Sequence, residues 1–129
     1  MAKENVTLIV EALRRIQLEG GSGNFCIFVA DPKANYYIQF AGQPGDAVLY
    51  AEAVGNEFLK RRHRLGADQI QRLESLGWNP PYGTPNFHRQ WRASDYEDRE
   101  RIAHQVLETL AQVYAIPAER MLEVIVELA

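Results

Sequence analysis

The sequence predicts an α+β protein in which an antiparallel sheet packs on helices, with elements in the order α-β-β-β-α-β-α-β. Two long segments repeat apolar residues at helical spacing, and shorter runs between turns alternate as strands do. A chain of 129 residues has the usual length of one domain, and 47% hydrophobic with 24% charged residues is an ordinary globular balance. We therefore expect a single domain over residues 1–129.

The first half of the chain predicts one helix and a three-stranded meander. Gly20 and Gly21 end a helix whose apolar side is formed by Val6, Ile9, Val10, Leu13 and Ile16. Strands are expected over residues 25–30, 36–40 and 47–54, and the turns between them are rich in Pro, Gly, Asn and Asp. Because both connections are short, neighbouring strands should pair as hairpins.

The middle of the chain predicts a short helix, a loop and a fourth strand. Apolar spacing indicates a helix over about residues 66–77, with a glycine at its end. Three prolines and a glycine make residues 79–85 a loop. Residues 86–92 then alternate in the pattern of a strand, with one side formed by Phe87, Arg89 and Trp91 and the other by His88, Gln90 and Arg92.

The last part of the chain predicts a long helix and a final strand. Ser94 and Glu97 have the spacing of a capping box, and the helix that they open ends at Pro117. Pro117 and Glu119 would also suit the start of another helix. The β-branched content of the tail favours a fifth strand instead, with its apolar side formed by Leu122, Val124, Val126 and Leu128.

Charge and cysteine content limit the partners and the compartment. The formal net charge of −3 is too small to indicate a nucleic-acid or anionic-membrane partner. Cys26 is the single cysteine, so no internal disulfide can form, and charges interrupt residues 1–17 where a signal peptide would be apolar. No apolar run has the length of a membrane-spanning helix. We expect a cytoplasmic protein.

The residue types that usually carry chemistry do not form a catalytic or metal-binding pattern. His63, His88 and His104 have no second ligand at metal spacing, and Cys26 lies in an apolar run where nothing would activate its thiol. The basic residues 60–64 are most simply a solvated loop. The sequence therefore predicts no catalytic residues, no metal and no cofactor.

Two tryptophans and a tyrosine stand out among the aromatic residues. Trp78 and Trp91 flank the loop and the fourth strand, and large aromatics of this kind pack in cores. Tyr82 lies on the loop itself, where it is expected to be exposed and available for a contact.

Three stretches of the sequence together resemble the type III secretion chaperone and YbjN-like family, also called TY-Chap. They are Tyr37-Ile38-Gln39-Phe40-Ala41, then Ala51-Glu52-Ala53-Val54-Gly55-Asn56-Glu57-Phe58-Leu59, and Leu76-Gly77-Trp78-Asn79-Pro80-Pro81 with Asn86-Phe87-His88-Arg89-Gln90-Trp91. The resemblance implies a bacterial, secretion-chaperone-like α+β sandwich that binds other polypeptides, often as a dimer, without catalytic residues or a cofactor. Its secretion chaperones are usually strongly acidic, and a net charge of −3 departs from that pattern.

The predicted sheet has a second face that is unusually apolar. Tyr37, Val48, Tyr50, Val54 and Ile125 should lie there, although an open antiparallel sheet normally shows a polar face to water. Such a surface indicates an interaction site. We therefore expect a non-catalytic chaperone-like or adaptor protein that binds a partner polypeptide or a second copy of itself through Tyr37, Val48, Tyr50 and Tyr82.

Three alternatives compete with this expectation. The loop over residues 77–85 could fold across the apolar face and bury it. The protein could be a small enzyme or ligand-binding domain with a pocket near Trp78 and His88. Nucleic-acid binding through residues 60–64 is a third reading.

Overall fold

The computed structural model describes residues 2–129 and has the predicted α+β architecture. Its helices are α1 (Ala2–Leu18), α2 (Ala67–Ser75) and α3 (Tyr96–Tyr114). Its strands are β1 (Asn24–Asp31), β2 (Tyr36–Gly42), β3 (Val48–Ala53), β4 (Phe87–Arg92) and β5 (Glu123–Glu127). The order of elements along the chain is the one that the sequence predicts.

The five strands form one antiparallel sheet in the order β4-β3-β2-β1-β5. The meander of β1, β2 and β3 occupies the centre, and β4 and β5 are added at its two edges. Pairing aligns Phe25 of β1 with Ala41 of β2, and Ala41 with Tyr50 of β3. The register therefore places residues of all three central strands in common rows across the sheet.

Helices cover one face of the sheet and complete the core there. α1 packs against α3, and α2 packs against α3. Cys26, Phe28, Ile38, Phe40 and Leu49 project from the sheet toward this layer and are fully buried. Because side chains alternate along a strand, the residues between them point away from the helices.

The start of α3 corrects one prediction. Ser94 is not the capping residue, because the N-cap is Asp95, whose carboxylate accepts a hydrogen bond from the backbone of Asp98 at 2.9 Å. The Asp98 carboxylate in turn accepts from the backbone N–H of Ser94 at 2.8 Å. The helix is thus opened by two aspartates one residue further along than expected.

The position of Val54 corrects a second prediction. β3 ends at Ala53, so Val54 does not continue the alternation that would have placed it on the outer face. Its side chain is fully buried, and its carbonyl accepts a hydrogen bond from the Tyr114 hydroxyl of α3 at 2.8 Å. Val54 is a core residue.

The tail forms the strand that its β-branched residues predict, and Asn5 of α1 holds it in place. The Asn5 side chain is fully buried and donates to the carbonyls of Ala118 and Arg120, both at 2.8 Å. Its amide oxygen accepts from the backbone of Leu122 at 3.0 Å. These bonds fix the segment between α3 and β5.

Candidate functional site

The face of the sheet that points away from the helices, here called the open face, is the candidate site. Each strand contributes alternate residues to it. These are Phe25, Ile27 and Val29 of β1; Tyr37, Gln39 and Ala41 of β2; Val48, Tyr50 and Glu52 of β3; His88, Gln90 and Arg92 of β4; and Glu123, Ile125 and Glu127 of β5.

An apolar row crosses the middle of the open face. Phe25, Ala41 and Tyr50 are aligned across the three central strands, and Phe25 is 40% exposed. They line a shallow depression of about 280 Å³, whose polar wall is formed by Gln39 and Glu52. Ile27 and Ile125 are paired across β1 and β5 beside this row, and both are half-buried. The apolar surface therefore extends to β5 in the neighbouring row, whereas Phe25 itself is paired with Glu127 of β5.

Tyr50 also contacts the β4 side of the open face. Its ring stacks on the imidazole of His88 with centroids 6.4 Å apart. Val48, Tyr50 and Gln90 line a second depression at the end of β3, of about 300 Å³. Burial, followed by the nearby Glu52 carboxylate, raises the pKa of Tyr50 above its ordinary value, so its hydroxyl stays protonated at neutral pH.

Tyr37 lies at a corner of the open face where polar side chains satisfy it. Its hydroxyl accepts a hydrogen bond from the Asn86 amide at 3.1 Å. The same amide donates to Glu52 at 3.0 Å, and the Asn86 oxygen accepts from the backbone of Gly55 at 2.9 Å. Burial raises the pKa of Tyr37. Tyr37 is therefore partly a structural residue.

The loop before β4 reaches this corner and the Tyr50 side chain, through Asn86 and Thr84, and leaves the β1 side of the open face uncovered. Asn86 is buried over Tyr37, and Asn79 forms a β-bridge to His88 at the outer edge of β4. Phe25, on the β1 side, remains 40% exposed. The alternative in which the loop folds across the face thus holds only for the part formed by Tyr37 of β2 and by Tyr50 and Glu52 of β3.

A family model matches almost the whole chain. The model of TY-Chap3, described as T3SS (YopN, CesT) and YbjN peptide-binding chaperone 3, covers residues 5–126. The chain belongs to this family. No curated protein and no solved structure is found to match it. The resemblance inferred from the sequence is confirmed, and with it the general function of a peptide-binding chaperone.

The four partner-binding residues expected for this TY-Chap3 chain do not form one cluster. Tyr37, Val48 and Tyr50 lie on the open face as predicted, and the structure brings the last two to the same depression. Tyr82 is 89% exposed on the loop over residues 79–86 and is not one of the residues of the sheet. The role of all four in binding stays a prediction.

The alternative of an enzyme or ligand-binding domain with a pocket near Trp78 and His88 needs the two side chains to share one site, and they do not share one in this TY-Chap3 fold. Trp78 is 2% exposed on the helix side, where its indole N–H donates to Thr109 at 3.1 Å. His88 lies on the opposite face against Tyr50. The two side chains are therefore separated by the sheet, which removes the geometric basis of that alternative.

The sequence indicated that the first strand is apolar on both sides, but it did not assign individual residues of β1 to the open face. Phe25, Ile27 and Val29 supply three of its apolar residues, yet the prediction named only residues from β2, β3 and β5. The signal was present, because residues 25–30 are apolar at every position and so cannot all point to one core. Assigning one side to the open face needed the pairing with β2 and β5.

The other residues weighed for chemistry are dispersed. Among residues 2–129, no group of three or more His, Cys, Asp or Glu side chains is placed to hold a metal ion. Burial raises the pKa of the Cys26 thiol to about 12, so it is a neutral core group. Within the same range, no helix combines the length and the apolar character needed to cross a membrane. The basic residues 60–64 lie in short turns, and four of the five are exposed.

Proposed function

We propose that this TY-Chap3 protein binds an apolar segment of a partner polypeptide on its open face and performs no catalysis. The observation that carries the proposal is the apolar row of Phe25, Ala41 and Tyr50, which no helix covers. Exposed apolar surface that continues across several strands is typical of an interaction site. A cytoplasmic location in a bacterium belongs to the same proposal, and the single, unpaired and buried Cys26 supports a reducing compartment.

The shape of the open face favours a polypeptide over a small molecule. Ligand pockets are concave and bury most of their ligand, whereas the two depressions here are shallow and adjoin along the sheet. Tyr50 lines both of them, so one extended segment can contact both. Side chains of an extended segment would enter the depressions in turn.

Charge on the open face favours basic residues beside the apolar ones in that segment. Glu123 and Glu127 are exposed on β5, on either side of Ile125. Glu52 adds a third carboxylate at the centre. A lysine or arginine next to the apolar anchor would therefore meet opposite charge.

The proposal is tested with a double variant in which Phe25 and Tyr50 are both replaced by Ser. The probe is a fluorescein-labelled peptide, chosen as the strongest binder on a random-sequence peptide array and followed by fluorescence anisotropy. Removing two aromatic anchors should weaken binding by about tenfold or more, since interface hot spots of this type exceed about 1.4 kcal/mol. The Phe58→Ser variant is the matched control, because Phe58 is 48% exposed and belongs to none of the five strands.

Each outcome decides the matter. Equal weakening in the double variant and the Phe58→Ser variant would contradict the open face as the binding site. The competing occupant of the open face is a second copy of the chain, and sedimentation of the unmodified protein measures whether it forms a dimer. A dimer that the double variant converts to a folded monomer, with no peptide bound by either form, would show that the face binds a second copy and would overturn the proposal.

A further inference from the structure

Arg89 of β4 is held in an unusual environment on the helix side of the sheet. Its guanidinium lies 3.8 Å from the centre of the Trp91 ring and 6.0 Å from that of Trp78. Gly77 closes the other side with φ +99°, and a Cβ there would lie 2.6 Å from Nη1 of Arg89. A glycine is thus required for the guanidinium to fit between the backbone and the indole rings.

The guanidinium uses little of its hydrogen-bonding capacity in the protein. Nη1 donates to the Leu76 carbonyl at the end of α2, at 3.0 Å. Nε is buried without a hydrogen-bond partner, and no hydrogen bond joins Nη2 to another atom of residues 2–129. Arg89 forms no ion pair with any carboxylate in residues 2–129. Burial alone lowers its pKa, and no neighbouring anion raises it.

This guanidinium opens onto a cavity of about 360 Å³, here called the Arg89 pocket, between the end of α2 and α3. Its wall includes Gln105 and Glu108 of α3. The amide oxygen of Gln105 is occupied by the Trp91 indole N–H at 2.8 Å, which leaves its NH₂ group as a second donor. Glu108 is the one acidic side chain in the wall.

We propose that the Arg89 pocket binds a carboxylate carried by a polypeptide, either a C-terminal carboxylate or an Asp or Glu side chain. A guanidinium that stacks on an indole ring, lacks a counter-ion and lines a cavity is suited to an oxyanion, with which it forms charge-assisted hydrogen bonds. Gln105 supplies a further donor at the same wall. The bond to Leu76 explains why Nη1 is held, and because Nε is buried, Nη2 is the nitrogen left to meet a ligand.

This site rests on the peptide-binding function of the family but not on the open face, because Arg89 lies on the opposite side of the sheet. The two proposals therefore fail separately. A partner that engages both sites would wrap around the β4 edge. Loss of binding at one site should leave short probes of the other site unaffected.

The test uses the intrinsic fluorescence of Trp78 and Trp91, the two tryptophans of the chain, which both adjoin Arg89. Three probes are titrated into the full chain: acetyl-triglycine with a free carboxylate, its C-terminal amide, and acetyl-Gly-Glu-Gly amide. We expect a saturable fluorescence change with at least one of the two carboxylate probes, acetyl-triglycine and acetyl-Gly-Glu-Gly amide. We expect no change with acetyl-triglycine amide, which has no carboxylate. The first probe reports a C-terminal carboxylate as the source, and the third a side chain.

Variants separate binding from folding. Arg89→Gln should weaken the carboxylate probe by tenfold or more, as charge-assisted hydrogen bonds of this strength imply. Arg92→Gln, three residues along the same strand and on the open face, is the control and should leave the affinity unchanged. Glu108→Gln removes a like charge from an exposed helix position and should tighten binding about twofold to fivefold. This variant serves even if Arg89→Gln unfolds.

Two results would overturn the proposal. One is an equal fluorescence response to the free acid and the amide, or no response to any probe. The other is a carboxylate affinity that is the same in the unmodified protein, Arg89→Gln and Glu108→Gln.

Discussion

The two faces of the sheet carry similar apolar side chains, but one face is buried and the other is partly exposed to water. Strand β1 shows this difference within a few residues. Phe28 points to the helices and is fully buried against Phe40, with ring centroids 5.9 Å apart. Phe25, three residues earlier, points the other way and is 40% exposed. The same residue type is therefore part of the core on one face and part of a solvent-exposed surface on the other.

The difference shows that stability alone does not explain the apolar content of the strands. The helix-covered face already contains a continuous core from α1 to α3. Leaving an aromatic ring such as Phe25 in water forgoes about 25 cal/mol per Å² of apolar surface. In a peptide-binding family, an uncovered apolar surface of this kind agrees with the proposal that a partner polypeptide binds there.

Truncating the two phenylalanines is the strongest test of this contrast. Phe28→Ala should lower the free energy of unfolding by about 3–5 kcal/mol, because it leaves a cavity in a close-packed core. Phe25→Ala should lower it by less than about 1 kcal/mol, since water already reaches that ring. Urea denaturation of both variants measures the difference, and losses of similar size would show that the two faces are equally part of the core.

Removing Asn5 tests the tail that completes the open face with Ile125. Asn5→Ala leaves the carbonyls of Ala118 and Arg120 and the N–H of Leu122 without their partner, which should cost about 2–4 kcal/mol. Thr7→Ala on the exposed side of the same helix is the control and should stay within about 0.5 kcal/mol of the unmodified protein. A melting temperature of Asn5→Ala equal to that of Thr7→Ala would contradict this role.

Burial of Cys26 on the helix-covered face should make the free energy of unfolding depend on pH, which is a smaller effect than the two above. The pKa of Cys26 rises from 9.0 to about 12 in the fold, because the thiol is buried beneath the helices. Its contribution to stability is complete below about pH 9 and is lost as the pH rises toward 12, since the unfolded state releases the proton first. Between pH 8 and 10.5 the unmodified protein should lose about 2 kcal/mol more than Cys26→Ala. Parallel alkaline stability curves for the two would disprove the burial account.

The sequence predicted the elements and most of the faces because local periodicity controls both. The alternation of Phe87, Arg89 and Trp91 against His88, Gln90 and Arg92 is confirmed by the contacts of β4. Errors occurred where a pattern had to stop: Val54 follows the last residue of β3, and Asp95 rather than Ser94 caps α3. Ser94 and Asp95 both fit a cap by type, and it is the Asp95 carboxylate that accepts the hydrogen bond from Asp98.

What could not be predicted depends on residues that are distant in the sequence. The coverage of Tyr37 by Asn86 requires the loop to return beside β3, and no local pattern indicates it. The stacking of Arg89 on Trp91 could be guessed from their spacing on one side of β4. Its lack of a carboxylate partner could not, because that depends on where α2 and α3 lie.

The most direct test of peptide binding on the open face is methyl NMR of the protein with and without the array-selected peptide. Resonances of Ile27, Val48 and Ile125 on the open face should shift on titration, while those of Ile9 and Ile102 in the helical layer should not. A second apolar groove, between α1 and α3, is lined by Val6 and Leu107 among others. Shifts confined to Val6 and Leu107 would place the peptide on the helical side and contradict the account.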